Sequence, residues 1–96
     1  MNKITHPIFI TIQQEATGKH LHQLFRQNGY SVRDIQLACG LGTPQAVYKW
    51  LAGQSLPSID CLLVLSRILH VGIEEILVVD GDFYFVRKFS TFLFLS

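Results

Sequence analysis

The sequence predicts an all-α fold, a bundle of five short helices, with a short N-terminal strand before it and an apolar, possibly β, C-terminal extension after it. Three observations predict it. Apolar residues between positions 17 and 79 recur at i, i+3, i+4 spacing, as at Leu21, Leu24 and Phe25. Each such run ends at Asn-Gly, Gly or Gly-containing turns and reopens at Ser or Thr, the residue types that start helices. The chain has 96 residues, 49% of them apolar and 16% charged, which is enough for one core and too little for two. The sequence therefore divides into an N-terminal arm (1–16), a helical domain (17–79) and a C-terminal extension (80–96).

In the arm, the run from Pro7 to Ile12 is β-branched and aromatic, so a short strand is expected over Ile8–Ile12. Thr17 is placed to cap the first helix. Asn28-Gly29 is placed to stop it, because glycine readily takes the left-handed backbone that closes a helix. Ser31 is a cap for the second helix, with Asp34 at the capping-box position where Glu is usual, so a weakened box is expected. Ile35 and Cys39 fall on that helix's inner face, and Gly40-Leu41-Gly42 breaks it.

Thr43-Pro44 opens the third helix, with Thr as cap and Pro at the first helical position, where its missing N–H is not needed. Val47, Trp50 and Leu51 form its apolar stripe, and Gly53 ends it. Leu56-Pro57 blocks continuation. Ser58 caps a fourth helix with Leu62, Leu65, Ile68 and Leu69 inward; His70-Val71-Gly72 breaks it, and Ile73 to Leu77 form the last helix. Asp80-Gly81-Asp82 reads as a turn.

The net charge of +1 is unevenly spread: residues 1–57 carry +3, residues 58–82 carry −4, and the remainder +2. A basic first half and an acidic middle make a dipolar arrangement suited to orienting the domain toward a polyanion. Cys39 and Cys61 stand 22 positions apart among apolar neighbours, without a CxxC, and are expected as free thiols. The four histidines do not cluster, so neither a metal nor another cofactor is expected. No secretory signal and no run of about 18 apolar residues is present, so the expectation is a cytoplasmic chain without membrane attachment. No nucleophile elbow, phosphate loop, HExxH or paired carboxylates appear, so an enzyme is not expected.

The functional constellation is residues 31 to 53, Ser-Val-Arg-Asp-Ile-Gln-Leu-Ala-Cys-Gly-Leu-Gly-Thr-Pro-Gln-Ala-Val-Tyr-Lys-Trp-Leu-Ala-Gly. A short helix, a glycine turn and a second short helix make a helix-turn-helix. With Ile35, Cys39, Leu41, Val47 and Trp50 turned inward, Thr43, Gln45, Tyr48, Lys49 and Ala52 remain outward. Those outward side chains suit a DNA groove. Gln45 offers the donor and acceptor that read adenine, Tyr48 can meet a thymine methyl or a phosphate, Lys49 neutralises a phosphate, and Ala46 can pack on a methyl. The N-terminal turn of such a second helix is the part that reaches base edges.

The segments TGKHLHQLF, SVRDIQLACG, PQAVYKWLAGQSLPSIDCLLVLSRIL and VGIEEIL resemble the helices of the Cro and phage-repressor type of helix-turn-helix domain, the XRE family, over about two thirds of the chain. The run from Lys49-Trp50 through Leu56-Pro57-Ser58 to the leucine-rich helix is the specific part. The resemblance implies a five-helix domain that binds operator DNA as a dimer and regulates transcription. It places Thr43, Pro44, Gln45, Ala46, Tyr48 and Lys49 on a recognition helix spanning about 43–52, Ser31 and Arg33 over the backbone, and Gln54 and Ser55 in a phosphate-touching loop. The sequence departs from the family pattern in a longer turn, in Gln36 where Ala is usual, in Leu51 where Glu is frequent, and in Pro44 where a base-contacting Gln is common.

Residues 83–96 hold six of the eleven aromatics. Such a run has high β propensity and must be covered, either by pairing with the Ile8–Ile12 strand, within the chain or across a dimer, or by a protein partner. The leading expectation is a homodimeric, repressor-like regulator bound to double-stranded DNA. The alternatives are a protein-interaction module with an apolar recruiting tail and the antitoxin of a toxin–antitoxin pair.

Overall fold

The computed structural model describes residues 3–81, which fall into two units: a helical body, Gln13–Val78, and the flanking residues 3–12 and 79–81. The body holds five helices, α1 (Gln14–Gln27), α2 (Val32–Ala38), α3 (Gln45–Leu51), α4 (Ile59–Leu69) and α5 (Ile73–Ile76). With these helices the described residues are predominantly helical, as the apolar spacing predicts.

The helix starts show which local signals hold. Ser31 caps α2 as expected, and its box is complete: the Ser31 N–H donates to Asp34 Oδ2 at 2.8 Å and the Asp34 N–H to Ser31 Oγ at 3.1 Å. Asp34 reaches both groups, so the box forms in full. Ser58 caps α4 by accepting the Cys61 N–H at 3.2 Å. Thr17 does not cap α1. The helix starts at Gln14, and Gln13 stands at its cap without a side-chain bond. Thr17 is a buried residue inside α1, and its Oγ1 accepts the Val78 N–H at 2.9 Å. A buried hydroxyl must find a partner, and this one satisfies an amide 61 residues away. The Gln13 N–H completes the pair by donating to the Val78 carbonyl at 2.8 Å.

Every helix contributes to one core. Leu21 and Phe25 of α1, Ile35 of α2, Val47 of α3, Leu65 of α4 and Ile76 of α5 are fully buried. Burying side chains of this size is worth about 1.5–3 kcal/mol each. α4 closes on His70, whose φ of 59° is left-handed; the position that glycine would favour is taken here by a histidine.

α1 and α3 approach closely because two glycines permit it. A Cβ on Gly18 would collide with the Trp50 carbonyl oxygen and sit 2.8 Å from that of Leu51. A Cβ on Gly53 would lie 2.7 Å from Glu15 Cα. α1 is therefore the platform on which the C-terminal end of α3 rests.

In the flanking unit, β1 (Ile10–Ile12) pairs antiparallel with β2 (Val79–Gly81), Ile10 opposite Gly81 and Ile12 opposite Val79. The expected strand is confined to its last three residues. Asp80 and Gly81 belong to β2 and not to a turn, because cross-strand hydrogen bonds to β1 outweigh the low strand propensity of Asp and Gly. Asp82 and the aromatic run 83–96, with the pairing and partner roles expected of it, lie outside the described residues.

Candidate nucleic-acid interface

The interface is built on α2, its exit turn and α3. α2 ends on two hydrogen bonds: Gly40 N–H to the Leu37 carbonyl at 3.1 Å, and Leu41 N–H to the Gln36 carbonyl at 2.9 Å. That pair is the Schellman closure, and it requires a left-handed residue, supplied by Gly40 at φ 68°. The Gln36 side chain adds a third tie, donating from Nε2 to the Leu41 carbonyl at 3.3 Å. An alanine at position 36 has no group to make it, so this departure from the family pattern braces the turn.

α3 begins one residue later than expected. Pro44 occupies the N-cap, not the first helical position, and no side chain, Thr43 included, caps the helix. Pro44 accepts the first helical bond through its carbonyl, from the Tyr48 N–H at 3.1 Å. The helix spans Gln45–Leu51 and not 43–52. It closes at Gly53, φ 77°, with the same bond pair: Gly53 N–H to Trp50 and Gln54 N–H to Lys49.

The two faces of α3 differ sharply. Val47 is fully buried and Trp50 is 4% exposed, while Tyr48 is 56% exposed. Thr43, Gln45, Lys49 and Ala52 are also exposed. Gln45, Tyr48, Lys49 and Ala52 stand at i, i+3, i+4, i+7, so they form one stripe. Pro44 and Ala46 are half-buried and border that stripe. Among the described residues no ion pair engages Lys49 or Arg33, which is exposed on the first turn of α2. Gln54 is exposed and Ser55 half-buried in the loop that follows.

Ser31 is placed differently from its neighbours in this set. Its hydroxyl donates to Asp34 Oδ2 at 3.0 Å and accepts the Asp34 N–H, so the capping box engages it fully. These bonds, the backbone N–H of Ser31 first, hold the Asp34 carboxyl below the usual carboxylate range. Leu37, exposed on α2, was not singled out by its sequence context; it is an apolar residue on the outer side of an amphipathic turn. Gly18, a glycine inside a helical pattern, marks close packing. The basic residues Lys19, His22 and Arg26 are all exposed on α1, and Lys19 lies 3.8 Å from Glu15.

A short helix, a Schellman turn and a second short helix with one buried and one open polar face make a helix-turn-helix. The overall fold is similar to that of solved structures. The restriction-modification controller protein C.AhdI from Aeromonas hydrophila superposes with a TM-score of 0.58 at 24% identity, covering 66% of this chain and 94% of that one. The clp gene regulator ClgR from C. glutamicum superposes with a TM-score of 0.58 at 18% identity, covering 75% of this chain and 88% of that one. No protein-family model matches the chain, and no curated protein matches it in sequence. No helix among the described residues is long and apolar enough to cross a membrane.

Proposed function

We propose that the protein is a sequence-specific DNA-binding regulator of transcription, repressor-like, acting in the cytoplasm as a homodimer and by binding instead of catalysis. The observation that carries the reading is the open stripe Gln45, Tyr48, Lys49 and Ala52 on a helix whose opposite face, Val47 and Trp50, is locked in the core. α3 is thereby held rigidly while its polar side is free to enter a major groove. The two similar structures are a controller protein and a gene regulator, which supports the same reading.

In this reading Gln45 reads a base edge, Tyr48 contacts a methyl or a phosphate, and Thr43, Lys49, Arg33 and Gln54 bind phosphates. Pro44 and Ala46 shape the apolar margin, and Ser55 lies beside Gln54 in the exit loop. A two-fold dimer would present two copies of α3 about 34 Å apart, one turn of DNA, on a near-palindromic site. Selection of bound duplexes from a random pool tests this directly. The expected result is an enriched two-fold-symmetric sequence. A pool that stays random through repeated rounds refutes the proposal.

A further inference from the structure

α4 has an inner and an outer side. Leu62, Leu65 and Leu69 are buried in the core. On the opposite side Ile59 is 79% and Leu63 48% exposed, and the two adjoin at i, i+4. The other large apolar side chains exposed in the helical body are Leu37 on α2 and Tyr48 on the α3 stripe, so exposed apolar surface gathers at this pair. Two exposed charges of opposite sign flank it, Asp60 in the first turn of α4 and Arg67 in the last. They stand seven positions apart, so they share one side of the helix at about 10 Å along its axis. Among the described residues neither forms an ion pair.

We propose that the outer face of α4 docks against the α4 of a second copy of this chain, antiparallel across a two-fold axis. The order of charges names the occupant. A two-fold contact is self-complementary: where one residue meets a second, the second meets the first in return. An axis midway between positions 63 and 64 sets position 60 of each copy opposite position 67 of the other. Asp60 then meets the partner subunit's Arg67, and the same pair forms again at the far end. Leu63 packs on its own copy at the centre, with Ile59 beside it. Reversed end for end, the order acid, apolar, base is its own complement. A parallel pairing would instead oppose acid to acid and base to base.

The inference deepens the DNA-binding reading and rests on its homodimer, because it names the surface that joins the two copies. Two 11-residue helices, each about 16 Å long, make a contact smaller than the standard interface of about 1,200–2,000 Å². The free dimer is therefore expected to be weak, with a Kd of about 10–100 µM. A duplex that binds both copies raises the effective concentration of one for the other and strengthens the contact.

The test is sedimentation equilibrium of the full chain over concentrations spanning that Kd, with circular dichroism to show that each variant is folded. The parent should dimerise, and Leu63→Arg, a change at an exposed position, should stay folded and monomeric. Asp60→Arg sets Arg against Arg and Arg67→Asp sets Asp against Asp, so each should weaken the dimer about tenfold, every pair occurring twice. The double variant carrying both changes restores the two pairs and should dimerise within about threefold of the parent. Charges that serve only the dipole of their own helix would leave the double variant no better than the single ones, and that result overturns the proposal. A parent that is monomeric at every concentration, or a dimer indifferent to Leu63→Arg, overturns it too, whatever else covers the face. Duplex selection is scored separately. A symmetric site bound by a dimer that ignores all these variants sinks the α4 interface and leaves DNA binding standing. A rescued charge-swapped dimer that selects no duplex upholds the interface and refutes the DNA-binding reading alone.

Discussion

Gly18 of α1 lies directly against the backbone of Trp50 in α3, so close that a methyl group on Gly18 would collide with the Trp50 carbonyl oxygen. Trp50 is also the residue whose burial turns the polar stripe outward. Helix packing and the outward orientation of that stripe are therefore set at the same point.

Gly18→Ala should consequently destabilise the protein, although alanine is the better helix former by about 1 kcal/mol. The colliding atoms belong to backbone that cannot rotate away, so a net loss of about 1–3 kcal/mol is expected from urea unfolding. An unchanged or raised unfolding midpoint would show that α1 and α3 are not in this contact.

Thr17→Val keeps the shape of the buried side chain and removes the acceptor for the Val78 N–H. Leaving that amide without a partner should cost about 1–3 kcal/mol. Hydrogen exchange at Val78 should accelerate more than exchange at Leu65, which lies in the middle of the core.

The Asp34 carboxyl is held low by the Ser31 N–H and then by the Ser31 hydroxyl. A carboxylate with a depressed folded pKa stabilises the protein above its unfolded pKa of about 3.9, and the contribution is lost as pH falls through the folded value. Asp34→Asn should therefore melt lower than the parent at pH 7, with the gap shrinking steadily below about pH 4. A gap independent of pH would mean that the charge in the capping box is irrelevant.

The stripe on α3 separates two kinds of contact. Gln45→Ala should relax discrimination at one base position by about 1–3 kcal/mol, whereas Lys49→Ala should weaken all duplexes alike. For a footprint of about six phosphates the slope of log affinity against log salt should be near −5, and Lys49→Ala should flatten it by about one. Binding that does not respond to salt would remove Lys49 and Arg33 from the interface.

What the sequence discloses here is local. Ser31 with Asp34, Ser58 at its cap, Gly40 and Gly53 at their turns, and the Val47–Trp50 stripe act over four residues or fewer, so spacing alone reveals them. Thr17 looks like a cap for the same local reason, and it is wrong because its real partner is Val78. Gly18 against Trp50 is likewise a product of tertiary packing, its partner lying 32 positions away in the sequence. α3 is legible in the sequence as a face but not in its bounds: Pro44 fits either the cap or the first helical position, and the turn geometry decides between them. The stripe's exposure could be foreseen from the burial expected of Val47 and Trp50; the bracing of the turn by Gln36 could not.

The paired bonds of Gln13 and Thr17 to Val78 set the first and last residues of the helical body side by side. A body whose ends adjoin resembles a ring with one removable link. Joining those ends with a few glycines and reopening the chain in an exposed loop away from α3 should give a circular permutant that still folds. The body is thus a cassette that can be spliced into a loop of another protein without stretching either host or insert.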